Sequence, residues 1–267
     1  MLAMLPIELL YEIHLFALNA QLPLVSKSMH HTLRSAPESL RARWLMMLHP
    51  LTNEGGQPNV QLAHIVEASL LHPVCTPGVL RAIHRIHGLV PFSKKLPVIW
   101  IKLPRRLFRY RPNASPSTSI HNNNEDAITN VLDELARHHN IYKPNINSHK
   151  GYPLIMACHR RSIPLVTLLL SYGADPGSQG SLAVKIAIRQ RNLELVKLLV
   201  ERRAPSVIEA RESQPCCTRT EKPRLQDRVR ITPELVTEAI RACATDIAEY
   251  FAMKGTAPSF NALEYLL

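Results

Sequence analysis

The sequence predicts an all-α protein whose C-terminal half is a short stack of helical hairpins. Three observations carry this. A run of fixed internal spacing, Ala157 to Gly173, recurs as Ala187 to Arg203 and as Ala239 to Gly255. Within it the apolar residues fall at i, i+3 and i+4, the period of a helix face. The composition agrees: 46% hydrophobic, only 5% aromatic, and nine glycines against twenty-one prolines. That suits short helices joined by stiff turns.

In the first copy Leu154, Ala157 and Cys158 make one apolar face, and Leu165, Val166, Leu168, Leu169 and Leu170 make a second, closed by Gly173. Glycine supplies the left-handed backbone that ends a helix. Leu154, Val184 and Val236 each stand three residues ahead of the repeated alanine, and Leu168–Leu169 matches Leu198–Leu199 and Tyr250–Phe251. The alanine is small because the two helices of a hairpin cross there. One hairpin cannot bury both faces alone, so neighbours are required. The pattern G-x-x-P-L…A-C, then L-V-x-L-L-L-x-x-G-A-D, resembles the ankyrin repeat family. The second copy keeps N-L-E-L-V-K-L-L-V without the T-P-L opening; the third keeps the period and little else.

Residues 1–49 read as three short helices. Leu5-Pro6 opens the first, with Leu9, Ile13 and Phe16–Ala17 on one face and Glu8 and Glu12 off it. Pro23 opens the second, with Val25, Met29 and Leu33 in line. Pro37 begins the third, with Leu40, Trp44 and Met47–Leu48 as its face. A core of this size rarely yields more than about 3–5 kcal/mol, so the segment should dock on the next one or on a partner. The pattern L-P-x-E-L-L-x-x-I…L-x-L-V-S-K resembles the first half of an F-box. The second half departs from that family, because Met29 stands where it usually has Trp.

Residues 50–111 are expected to form a helical linker or decayed repeat, with helices at Val60–Leu71 and Pro77–His87. The stretch from 93 to 111 carries Lys94, Lys95, Lys102, Arg105, Arg106, Arg109 and Arg111 with Trp100, Phe108 and Tyr110 interleaved. Three uses fit it: packed aromatics with solvated cations, a grip on an acidic or phosphorylated peptide, or nucleic acid and nuclear import. Residues 112–124 read as a flexible linker with an exposed Ser115-Pro116. The repeat domain is expected at 125–267. Its front half-repeat is a helix at Ala127–His138, its finger between the first two copies is trimmed, its insertion at 206–230 is a mobile loop, and Ala257–Leu267 is a closing half-helix.

Five cysteines without a C-x-x-C pair argue for a reducing compartment, cytoplasm or nucleus. Cys158 and Cys243 are expected inside helices. No run long enough to span a membrane exists, so no membrane partner is expected. His30-His31, His84, His87 and His138-His139 read as lacking acidic or Cys partners at a ligand spacing, so no metal is expected, and no cofactor either. No phosphate loop or nucleophile motif stands out, and no enzymatic activity is expected.

The two resemblances together imply a substrate receptor of a cullin–RING ubiquitin ligase. The Skp adaptor would bind Leu5, Pro6, Leu9, Ile13, Leu22, Leu24 and Val25. The target would bind the family's finger and first-helix positions, here His149, Lys150, Tyr152, His159, Arg160, Gln179, Ser181, Arg189, Gln190 and Arg241. That face is cationic, and the chain carries a net charge of +11, so an acidic or phosphorylated target is expected, ahead of nucleic acid. The competing expectation is an ankyrin adaptor without a ligase role, its first 49 residues merely capping the stack. Exposure of Leu9, Ile13 and Leu24 separates the two.

Overall fold

The computed structural model describes residues 5–49, 58–87, 99–109, 119–138, 141–202 and 227–256. Helices dominate them, as the sequence predicts. They divide into two compact units, one of Met1–Leu107 with Arg111–Asn145 and one of Phe108–Tyr110 with Ile146–Leu267. Lys94, Lys95, Tyr110, Arg111, Ser115-Pro116, residues 206–226 of the expected insertion (with Cys216-Cys217) and the expected half-helix at 257–267 lie outside the described residues.

The first unit runs α1 (Ile7–Ala17), α2 (Lys27–Arg34), α3 (Glu38–Leu48), α4 (Pro58–Ser69), α5 (Pro77–His87), β1 (Ile99–Lys102), α6 (Ser119–Arg137) and β2 (Tyr142–Asn145). Helix α3 is central, packing on α1, α4 and α5, and α5 packs in turn on α6. Gly78 of α5 lies so close to α3 that a Cβ there would strike the Glu38 carboxyl. Ala42, Trp44 and Leu45 of α3, Leu62 and Val66 of α4, and Leu80 and Ile83 of α5 are buried in the resulting core.

Several local expectations are corrected. Pro23 does not open α2; it sits in a 3₁₀ turn, Leu22–Leu24. Ser26 starts the helix instead, its hydroxyl accepting from the Met29 N–H at 3.1 Å, which satisfies a donor that proline's position cannot. Val25 therefore stands outside the helix and is exposed. Helix α3 buries Ala42, Trp44 and Leu45, while Leu40 and Leu48 are half-buried and Met47 is exposed. Helix α6 begins at Ser119, inside the stretch read as linker. Once Ile128, Val131, Leu132 and Leu135 anchor its buried face, each added turn costs little. Within the basic stretch, Ile99–Lys102 forms a strand, parallel to β2 in the register Ile99↔Tyr142. Ile101 is buried there and Trp100 exposed, the alternation a strand requires.

The second unit is a set of helical hairpins: α7 (Ser148–His159) with α8 (Ile163–Ser171), α9 (Ser178–Arg189) with α10 (Leu193–Val200), and α11 (Pro233–Arg241) with α12 (Thr245–Met253). Ala157, Ala187 and Ala239 are fully buried. Their carbonyls accept from the N–H of Ser162, Asn192 and Ala244 at 3.3, 3.2 and 3.0 Å. Just ahead of those donors, Arg161, Arg191 and Cys243 adopt left-handed φ of 59°, 53° and 52°. Cys243 thus lies in a turn and is exposed, not inside a helix as expected. All three copies share one backbone, including the third, whose sequence has drifted furthest.

Ser162 and Asn192 cap α8 and α10 by accepting from the N–H of Leu165 and Leu195 at 3.4 and 3.0 Å. Ala244 holds the equivalent place, with φ −99° and ψ 75°, and offers no acceptor. Ala244→Ser is expected to stabilise the protein by about 1 kcal/mol. Urea unfolding of the two chains, followed by helical circular dichroism, should resolve that gain, and a loss would mean the third turn differs from the other two.

Candidate functional site

Helix α1 is apolar on two sides. Leu10 and His14 are buried, while Leu9 is 45% exposed and Phe16 73%. Leu24 and Val25 follow at 69% and 67%. Of the residues expected to meet an adaptor, Pro6, Leu9, Leu24 and Val25 are exposed, and Leu5, Ile13 and Leu22 are half-buried. Leu9 and Phe16 on α1 and Leu24 and Val25 on the turn after it are thus large apolar side chains left open to solvent.

On the buried side of α1, His14 begins a row of rings. His14 stacks on Trp44 at 4.7 Å between centroids, His72 meets the Trp44 edge at 5.8 Å, and His49 Nε2 lies 3.0 Å from His72 Nε2. His14, Trp44 and His72 border a cavity of about 440 Å³ that Pro23, Leu24 and Leu33 also line. Burial lowers the pKa of His14; for His49 burial acts first and His64 adds to it; for His72 burial is joined by His49 and Arg106. Arg106 accounts for one cation of the basic stretch: its guanidinium donates to the carbonyls of Leu70, at 2.7 Å, and His72. Lys102 and Trp100 remain exposed.

In the second unit the expected target-binding residues sit at turns and helix ends. His149, Lys150 and Gly151 adopt consecutive left-handed conformations, and so do Gln179, Gly180 and Ser181. The finger between the first two copies is a tight turn of this kind. Each non-glycine residue so held costs about 1–2 kcal/mol, and strain of this kind concentrates at binding surfaces. Asn147, just before the first of these turns, ties it to the segment after α8, donating to Gly173 O at 3.3 Å and accepting from Asp175 N at 2.9 Å. His149, Lys150, Gln179, His159, Arg189 and Arg241 are exposed; Tyr152, Arg160, Ser181 and Gln190 are half-buried. Some of them hold the stack together. Arg160 donates to the carbonyls of Phe108 and Arg109 at 3.2 and 2.9 Å, Gln190 to His159 O at 3.1 Å, and Arg189 pairs with Glu238 at 2.6 Å. The cationic character expected of this face is therefore partly spent within the fold, and Lys150 carries it at the tip.

A titratable group escaped the sequence reading. His84 (on α5), Glu134 and His138 (at the end of α6) each place a potential ligand atom within 4.8 Å of the other two. The expectation that these histidines lack an acidic partner is corrected, because Glu134 stands one helical turn before His138. That i, i+4 signal was present in the sequence; the approach of His84 across the fold was not. Cys75 and Cys158 carry buried thiols whose pKa burial pushes up to about 12, so neither is poised as a nucleophile.

Residues 119–209 match the family described as ankyrin repeats (3 copies), a span from α6 to the end of α10 and beyond. The protein thus carries ankyrin repeats in its C-terminal half. The α11–α12 hairpin lies past the matched span. No curated protein and no solved structure gives a significant match. Among the described residues no helix is long and apolar enough to cross a membrane.

The histidine row fixes a direction for pH dependence. A folded pKa below the unfolded value near 6.5 means that, as pH falls through 6.5, the unfolded chain takes up protons the folded one refuses. Stability is therefore full above that pH and lost below it. The thermal midpoint should be lower at pH 5 than at pH 7.5. His14→Phe, which keeps the stack on Trp44, should narrow the difference; an unchanged difference would remove His14 from the explanation.

Proposed function

We propose that the protein is a substrate receptor of a cullin–RING ubiquitin ligase, joining a Skp-type adaptor at α1 to a protein target at the ankyrin turns. Ankyrin repeats establish a protein-interaction role. The observation that carries the finer reading is the exposure of Leu9, Leu24 and Val25, and of Phe16 on the same helix as Leu9. A segment with so small a core buries one side of α1 on its own unit and leaves the other for a partner. The F-box resemblance of these same residues names the partner.

The receptor performs no covalent chemistry. It raises the effective concentration of the target beside the conjugating enzyme, in the cytoplasm or the nucleus. An acidic or phosphorylated target fits His149 and Lys150. One observation favours the alternative of an adaptor with no ligase role: α3 packs on α4 and α5 in one compact unit, as a cap would.

Co-purification with the Skp adaptor separates the two. The native chain should retain the adaptor, and a Leu9→Asp, Leu24→Asp double variant should weaken it by about a hundredfold or more, with its helical content unchanged. A folded native chain that captures no adaptor would leave the ankyrin adaptor as the reading.

A further inference from the structure

We propose that the outer face of the β1–β2 pair is a docking surface for an acidic protein segment that carries an aromatic ring, with Trp100 as the anchor and Lys102 and Lys143 as the cations. None of the three lies among the residues that meet the adaptor or the target in the ligase reading, so the proposal stands without it.

The strand register brings these side chains together. Trp100 pairs with Lys143, and Lys102 with Asn145. Residues paired across a ladder project to the same side, about 4.8 Å apart, and residues two apart on one strand share that side at about 6.5 Å. Burial follows the alternation on both strands. Ile101 and Tyr142 are fully buried and Ile99 and Pro144 half-buried, whereas Trp100, Lys102 and Lys143 are exposed and Asn145 is half-buried. The solvent side therefore holds one indole, two ammonium groups and an amide, and no acid. Among the described residues no carboxylate forms an ion pair with either lysine.

A two-stranded sheet alone is marginal, but this one is pinned from beneath. Helix α4 packs on β1 and α6 on β2, and the Tyr142 hydroxyl lies 2.6 Å from His84 Nε2. The indole thus stands on a fixed backbone, which lowers the ordering cost of binding. At the edge of β1 the Glu67 carboxylate accepts from the Lys102 N–H at 3.3 Å, so that donor is not open to an added strand. A partner meets the face of the pair.

Trp100 is 60% exposed, and a tryptophan of this kind is the side chain that most often anchors an interface once covered. An acidic segment with a ring answers everything the face offers: carboxylates beside the ammonium groups and a ring on the indole. Single-stranded nucleic acid would use similar chemistry, but it binds along a charged track several nucleotides long. This face has the footprint of about three extended residues, which suits a peptide.

The test uses the full chain and a dye-labelled peptide of glutamates with one tyrosine at its centre, followed by fluorescence anisotropy. Saturable binding with a Kd below about 100 μM is expected at low salt, weakening as salt rises. Serine in place of the peptide's tyrosine, or Trp100→Ala in the protein, should weaken it at least about tenfold. A Lys102→Glu, Lys143→Glu double variant should lose about as much. Lys27→Glu with Arg43→Glu makes the same change of charge at exposed residues of α2 and α3, and should bind as the native chain does. Absence of saturable binding at that affinity, equal losses in the two double variants, an unchanged Trp100→Ala affinity, or tighter binding of an oligothymidylate than of the peptide would each overturn the proposal. The comparison of tyrosine and serine peptides needs only the native chain, so the outcome does not hang on a variant folding; equal affinity for both would remove the ring from the site.

Discussion

Two helices of a hairpin approach closely only where the facing side chains are small, and the approach must also satisfy the polar backbone of the turn that joins them. Ala157, Ala187 and Ala239 meet both demands at once. Their methyl groups are fully buried, and their carbonyls take the N–H of the residue that caps or replaces the cap of the next helix. A larger side chain there would push the helices apart and stretch that bond. The left-handed residue in each turn, Arg161, Arg191 or Cys243, is the backbone consequence of closing so short a loop.

Because the hairpins are held from within, their turns are released from packing and can be spent on recognition. The braces between turns are backbone-directed: Asn147, Gln190 and Arg160 each donate to a carbonyl of a neighbouring segment. Such contacts fix spacing without dictating what the exposed side chains are. His149, Lys150 and Gln179 are correspondingly open to change, whereas Arg160 and Gln190, superficially of the same kind, are tied into the frame.

The sequence displayed what is local. Helical period, the repeated alanine and the closing glycine all arise within about twenty residues, and α5 and the helices from α7 to α10 stand near where the spacing puts them, while α6 starts eight residues early. What was hidden is what the fold brings together from afar. The strand at Ile99–Lys102 has only four residues and finds its partner at Tyr142–Asn145. His84 gains Glu134 and His138 only once α5 lies on α6. Pro23 misled because proline and serine both begin helices, and Ser26, with a side-chain acceptor, wins that competition.

The parallel pairing of β1 with β2 also decides how the chain can be divided. Strands that run the same way must be joined by a long excursion, and here roughly forty residues intervene. Phe108 and Arg109 lie on that excursion, yet they belong to the unit of the repeats and receive the Arg160 guanidinium. The boundary between the units is thus crossed more than once by the backbone. A cut between Asn145 and Ile146 would keep every hairpin of the second unit and still remove two of its carbonyl acceptors, leaving a half-buried guanidinium to find others. The second unit is therefore not one stretch of sequence, and no single truncation isolates it intact.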